Sequence, residues 1–189
     1  MAEPDTTADQ RAAEAVVRHH AQLADALNGY TTGLLVAAER GDLPQVWQRR
    51  DDLATWLHTE LMPHAHAEEG SLYPAAAAQL AGKLLVTGMI DEHRAIAGLV
   101  TELGDATSPV RAAAAARALA AAFTTHLAKE NDLVVPLLVQ TADVSLAGLL
   151  AGMHELIGEH AEHSDASGGD GGDDDGCGCG GCGCGGDSA

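Results

Sequence analysis

The sequence predicts an all-α fold: an up-down-up-down four-helix bundle with an additional C-terminal helix and a disordered tail. Three observations lead there. Alanine and leucine dominate the 189 residues, aromatic residues make up only 3 %, and β-branched residues are sparse, a mixture that favours helix over sheet. Apolar residues recur at steps of three and four through most of the chain. Four such stretches are separated by short punctuation, which is the pattern of consecutive antiparallel helices.

The first helix is expected from Asp9 to about Arg40, with Val16, Leu23, Leu27, Tyr30 and Leu34 on its buried stripe. Residues 1–8 read as a disordered start. Gly41 and Asp42 end this helix, and Asp42 can cap a second one with Pro44 in its first turn. That second helix carries Val46, Leu53, Trp56, Leu57 and Leu61 towards Gly70, with a kink expected at Pro63. After Pro74 comes a short alanine stretch. A third helix follows near 82–104, with Leu85, Met89, Ile90, His93, Ile96, Val100 and Leu103 on its core face. Ser108 and Pro109 open a fourth helix that runs to about Glu130.

These helices delimit a bundle domain over 9–140. A further helical pattern falls within 141–163, with Leu146, Leu149, Leu150, Met153 and Ile157 as its stripe. Residues 164–189 are rich in glycine, aspartate and cysteine and cannot bury enough apolar surface to offset ordering entropy.

Charge excludes some functions. With 28 acidic against 10 basic side chains the net charge is −18, which disfavours nucleic acid and anionic membrane as partners. No run of 18 apolar residues is present, so no membrane span is expected. The N-terminus lacks the basic and apolar regions of a signal peptide, and all four cysteines lie in the last thirteen residues. A cytoplasmic location is therefore the expectation.

The chemistry is carried by a repeat. "HAHAEEGSLYP" at 64–74 and "HLAKENDLVVP" at 126–136 both read His-x-x-x-Glu, and both place a proline ten residues after the first histidine. Upstream of each, His20 and His93 occupy core positions in apolar stripes. Each half of the chain thus supplies a histidine followed by His-x-x-x-Glu. Residues four apart on a helix share a face, so each His-Glu pair can aim at one point. Inward-facing carboxylates and histidines on four helices are how bundles build two-metal sites. The candidate metal ligands are His20, His64, Glu68, His93, His126 and Glu130. If both carboxylates bridge, each metal receives two nitrogens and two oxygens and keeps one or two open positions. Mixed nitrogen and oxygen ligation without thiolate suits iron, and manganese or zinc less specifically.

These residues, and "HAHAEEGSLYP" in particular, resemble the hemerythrin-like, or HHE cation-binding, family over about residues 11–140. The resemblance implies a four-helix bundle holding two non-haem iron ions, oxo- or hydroxo-bridged and spanned by two carboxylates. Oxygen-carrying members add a fifth histidine one turn from the third-helix ligand, where this chain has Met89 and Ala97. The pattern is therefore closer to the open, four-histidine, two-glutamate branch, which includes bacterial proteins linked to nitric oxide, peroxide and the repair of iron centres.

Neighbouring residues divide into candidates and bystanders. His20 lies on the stripe and His19 about 100° from it, so His20 is preferred. His66 lacks the glutamate and proline offsets of His64. Glu69 and Glu92 are candidates to accept from ligand N–H groups, with plain surface carboxylates as the alternative. Tyr73 is a candidate gate beside the metals, with packing as the alternative. Cys177, Cys179, Cys182 and Cys184 could wrap a soft metal, cycle between thiol and disulfide with a redox partner, or have no role. The expected function is binding or sensing of a small diatomic such as O2 or NO at an open di-iron site. The alternatives are a di-iron oxidoreductase acting on peroxide, NO or O2, or iron donation through the cysteine tail. No pattern in the sequence announces a pocket for an organic substrate.

Overall fold

The computed structural model describes residues 6–152. The part of the expected C-terminal helix beyond Gly152, the tail, and with them His154, His160, His163 and the four cysteines lie outside the described residues. The described chain is helical throughout its regular structure. The long helices are α1 (Thr6–Glu39), α2 (Leu43–Trp56), α3 (Met62–Gly70), the short α4 (Leu72–Ala77), α5 (Gly82–Gly104), α6 (Pro109–Lys129) and the short α7 (Val135–Val139). A further helical stretch begins at 146 and continues to 152.

Helix starts follow local chemistry. Asp42 caps α2 by accepting from the Gln45 N–H at 3.3 Å, and Ser108 caps α6 by accepting from the Arg111 N–H at 3.3 Å. Gly41 takes a positive φ of 69° in the turn between α1 and α2, a conformation that glycine adopts without steric cost. Gly82 permits a close approach: a Cβ there would stand 2.0 Å from the Ala76 carbonyl oxygen.

Helix α1 begins at Thr6, ahead of the expected Asp9. Its first turn makes a long-range contact that no local pattern shows. Asp9 is buried, and its carboxylate accepts from the Ser145 hydroxyl at 3.1 Å and the Ala147 N–H at 2.9 Å. The start of α1 is thereby tied to the start of the last helical stretch.

The expected kink at Pro63 takes a different form. A π turn, Leu57–Leu61, precedes it, and the Met62 N–H bonds back five residues to the Leu57 carbonyl. A second π turn, Glu130–Val134, precedes Pro136, with the Val135 N–H bonded to the Glu130 carbonyl. Proline has no N–H to continue the ladder, and in both places the helix widens just before it.

Helix α1 packs against α2 and α6, and α5 packs against α6 and α2, closing a four-membered ring of neighbours. The interior holds two apolar clusters. One contains Leu23, Leu27, Leu53, Ile96, Leu119 and Phe123. The other contains Val16, Leu72, Tyr73, Met89, Val134 and Leu146. Between Val16 and Leu23 on α1 lies His20, and between Met89 and Ile96 on α5 lies His93, so a polar layer separates the two clusters.

Candidate metal centre

The polar layer consists of six buried side chains from four sides of the bundle: His20 on α1, His64 and Glu68 on α3, His93 on α5, His126 on α6, and Glu130 at the head of the second π turn. Their ligand atoms fall into two groups, each confined within 4.8 Å: His20, His64, Glu68 and Glu130, and Glu68, His93, His126 and Glu130. Both glutamates belong to both groups. Each group therefore has two imidazoles of its own and two shared carboxylates.

The imidazoles turn Nε2 inwards. His64 Nε2 lies 3.2 Å from Glu68 Oε1 and His20 Nε2 lies 3.3 Å from the same oxygen. His126 Nε2 is 3.4 Å from Glu130 Oε1, and His93 Nε2 is 3.7 Å from Glu68 Oε2. Three of the outer Nδ1 atoms have partners. His20 meets Asn131 Oδ1 at 2.7 Å, His93 meets Glu69 Oε1 at 2.8 Å, and His126 meets Glu92 Oε2 at 3.1 Å. Lys129 in turn pairs with Glu92. An acceptor at Nδ1 fixes the tautomer that leaves Nε2 with a lone pair for a metal. Glu69 and Glu92, named from the sequence as candidate acceptors, are the partners of His93 and His126. Asn131 was not singled out, because a short polar residue beside a ligand looks like surface in a sequence.

Tyr73 reaches the centre. Ser71 breaks the helix between α3 and α4 at φ −131°, ψ −71°, and this turn carries Tyr73 inwards to near-complete burial. Its hydroxyl donates to Glu130 Oε1 at 2.6 Å and lies 3.3 Å from both His93 Nε2 and His126 Nε2. The ring stacks on His93 with centroids 5.3 Å apart. Burial, with Glu130 and Glu68 beside it, holds the phenol far above its ordinary range, so Tyr73 stays a donor.

His19 is exposed, with its ring 5.0 Å from that of His64, and it belongs to neither group. His66 is also exposed.

Electrostatics identify what the layer lacks. His20 Nε2, both nitrogens of His64, both oxygens of Glu68, and Glu130 Oε2 are buried without a hydrogen-bond partner. Leaving one such atom unpaired costs about 1–3 kcal/mol, and more when it is charged. Burial drives the Glu68 carboxyl up, but His64 and His20 outweigh it and hold the group well below its usual range. Burial likewise lowers His20, while Glu68, Glu130 and Asn131 together raise it above its ordinary value. His93 moves the other way: burial lowers it, and Glu69 only partly offsets this. Two carboxylates among four imidazoles, with inward atoms unpaired, make a donor set that fits divalent or trivalent cations.

The Hemerythrin HHE cation binding domain matches residues 11–138, more than half of the chain and close to the span of the resemblance. No curated protein and no solved structure matches it. The matched span contains the histidines and glutamates that meet in the buried layer. The chain therefore belongs to the hemerythrin HHE cation-binding family.

Proposed function

We propose that this layer holds two iron ions, with His20 and His64 on one, His93 and His126 on the other, and Glu68 and Glu130 spanning both. The protein then binds or senses a small molecule such as O2 or NO. One observation carries the reading: the two four-residue groups share both carboxylates and no imidazole. A mononuclear site needs no such division. Bound there, two iron ions with open positions supply reversible one-electron chemistry and a place for a small ligand. The chain's own residues bind and orient: Asn131, Glu69 and Glu92 aim three imidazoles, and Tyr73 holds a proton against Glu130.

Catalysis on peroxide, NO or O2 is the second reading, and the Tyr73 hydroxyl favours it by placing a protic group beside both His93 and His126. Iron donation through the tail would need the four cysteines, which the structure does not describe.

The test is metal analysis of the purified protein together with optical spectra under O2, peroxide and NO. Two irons per chain and a spectral response to at least one of these are expected. A single-metal or zinc-only protein with no response overturns the proposal. Turnover of peroxide or NO that is lost in Glu130→Ala would make the protein an enzyme, and binding without turnover would make it a carrier or sensor.

A further inference from the structure

The last helical stretch has a direction, and that direction leads across a cavity. Its start is held at the beginning of α1, where Asp9 accepts from the Ser145 hydroxyl and the Ala147 N–H. By Leu150 it has reached the level of Val16 and Leu23, since these residues share the lining of one cavity of about 330 Å³. The stretch therefore runs the same way as α1, in the groove between α1 and residues 59–63. Among the described residues the rim of the cavity is formed by Ala15, His19, Thr59 and Glu60, all exposed, and its inner end by His20, His64 and Glu68.

The sequence keeps its character beyond Gly152, where the described residues end. From Leu150, Met153 and Ile157 follow at steps of three and four. Glu155, Glu159 and Glu162 fall on the opposite side at about 100° per residue. At a rise of about 1.5 Å per residue, 153–163 as a helix adds roughly 16 Å. That length carries it over the cavity and towards Tyr30 and Trp56, whose half-buried rings lie 5.6 Å apart further along α1 and α2. A second copy of the chain would have to compete with a segment tethered beside the cavity wall, whose effective concentration is on the order of millimolar.

We propose that residues 153–163 continue this stretch as a helix and dock over the cavity, with Met153 and Ile157 against its apolar wall and Glu155, Glu159 and Glu162 outward. Tyr73 closes the His93 and His126 side of the polar layer. Small molecules then reach the His20 and His64 side beneath this segment. That consequence rests on the reading of the layer as a small-ligand centre, whereas the docking does not.

Photo-crosslinking on the full-length purified chain tests the docking. The benzophenone amino acid p-benzoylphenylalanine is placed at Thr59 on the cavity rim, and as a control at Val17, which lines the α7 side of α1. From position 59, crosslinks to 153–163 of the same chain are expected, and from position 17 none. Mixing light and heavy-isotope chains separates crosslinks within a chain from those between chains. Ile157→Asp should cut the yield about tenfold, because it sets a carboxylate against an apolar wall, and Ile157→Leu should retain it. No crosslink from position 59 to 153–163, crosslinks only between chains, equal yield from position 17, or an undiminished yield in Ile157→Asp overturns the proposal. Access is read separately, as the rate at which a chelator strips the metal-loaded protein. Ile157→Asp should lose metal about tenfold faster than Ile157→Leu. Equal rates overturn the cover over the route to the layer. A chain that gives the crosslinks but holds no metal keeps the docking and loses the metal reading.

Discussion

Three of the four buried imidazoles are held from behind, and the partners differ in kind. Glu69 and Glu92 are carboxylates, and Glu92 is itself paired with Lys129, whereas His20 relies on the neutral amide of Asn131. Removing an outer partner of a metal-bound histidine typically costs 10–100-fold in metal affinity. Asn131→Ala should therefore weaken iron binding about 10–100-fold in a chelator competition. Unchanged affinity would mean that Asn131 does not orient His20. The same residues set the pH response of the metal-free protein. His20 is raised, so the stability it contributes is present below its ordinary 6.5 and is lost as pH rises through its folded value. His93 is lowered, so the folded state loses stability as pH falls below 6.5, and Glu68, also lowered, adds a further loss below about 4.5. The windows meet near pH 6.5. Thermal unfolding of metal-free protein should peak there and decline on both sides. With iron bound the ligands are already deprotonated, so the alkaline decline should vanish and the acid one should steepen. A flat profile without metal would contradict the assigned shifts.

At the scale of elements, the two halves use one device in two forms. After Glu68 the helix breaks at Ser71 before Pro74, and after Glu130 it widens into a π turn before Pro136. The prolines ten residues after His64 and His126 were visible, and so was the offset of the glutamates. The form of each break was not, because a π turn has no local signature apart from the proline that follows it. The break at Ser71 matters most, since it turns Tyr73 into the centre, a position that its sequence neighbours do not distinguish from packing. Asp9 was equally hidden: its partners Ser145 and Ala147 are more than 130 residues away in the chain. Asp9 acts as a cap supplied from another helix, and losing such a cap costs about 0.5–2 kcal/mol. Asp9→Ala should raise amide exchange across 146–152 while leaving α5 and α6 protected. If exchange there is unchanged, the tie between α1 and this stretch is not what orders it.

Across the molecule, the bundle and the six buried ligand candidates were legible because helical periodicity and the repeat of His-x-x-x-Glu point to the same interior. His20 and His93 sit on core stripes where a polar residue is costly unless something satisfies it, and that conflict was itself the signal. The cavity beside His64 was not legible, since its walls come from α1, α3, α4, the first π turn and the last helical stretch, and none of these has an unusual local pattern. The whole arrangement is two apolar clusters separated by one polar layer, whose two carboxylates are common to both groups of candidate ligands. The most direct measurement is an anomalous difference map collected at the iron edge from crystals of the purified protein. Two peaks between Glu68 and Glu130, one against His20 and His64 and the other against His93 and His126, are predicted. A single peak, or iron held elsewhere on the chain, would contradict the account.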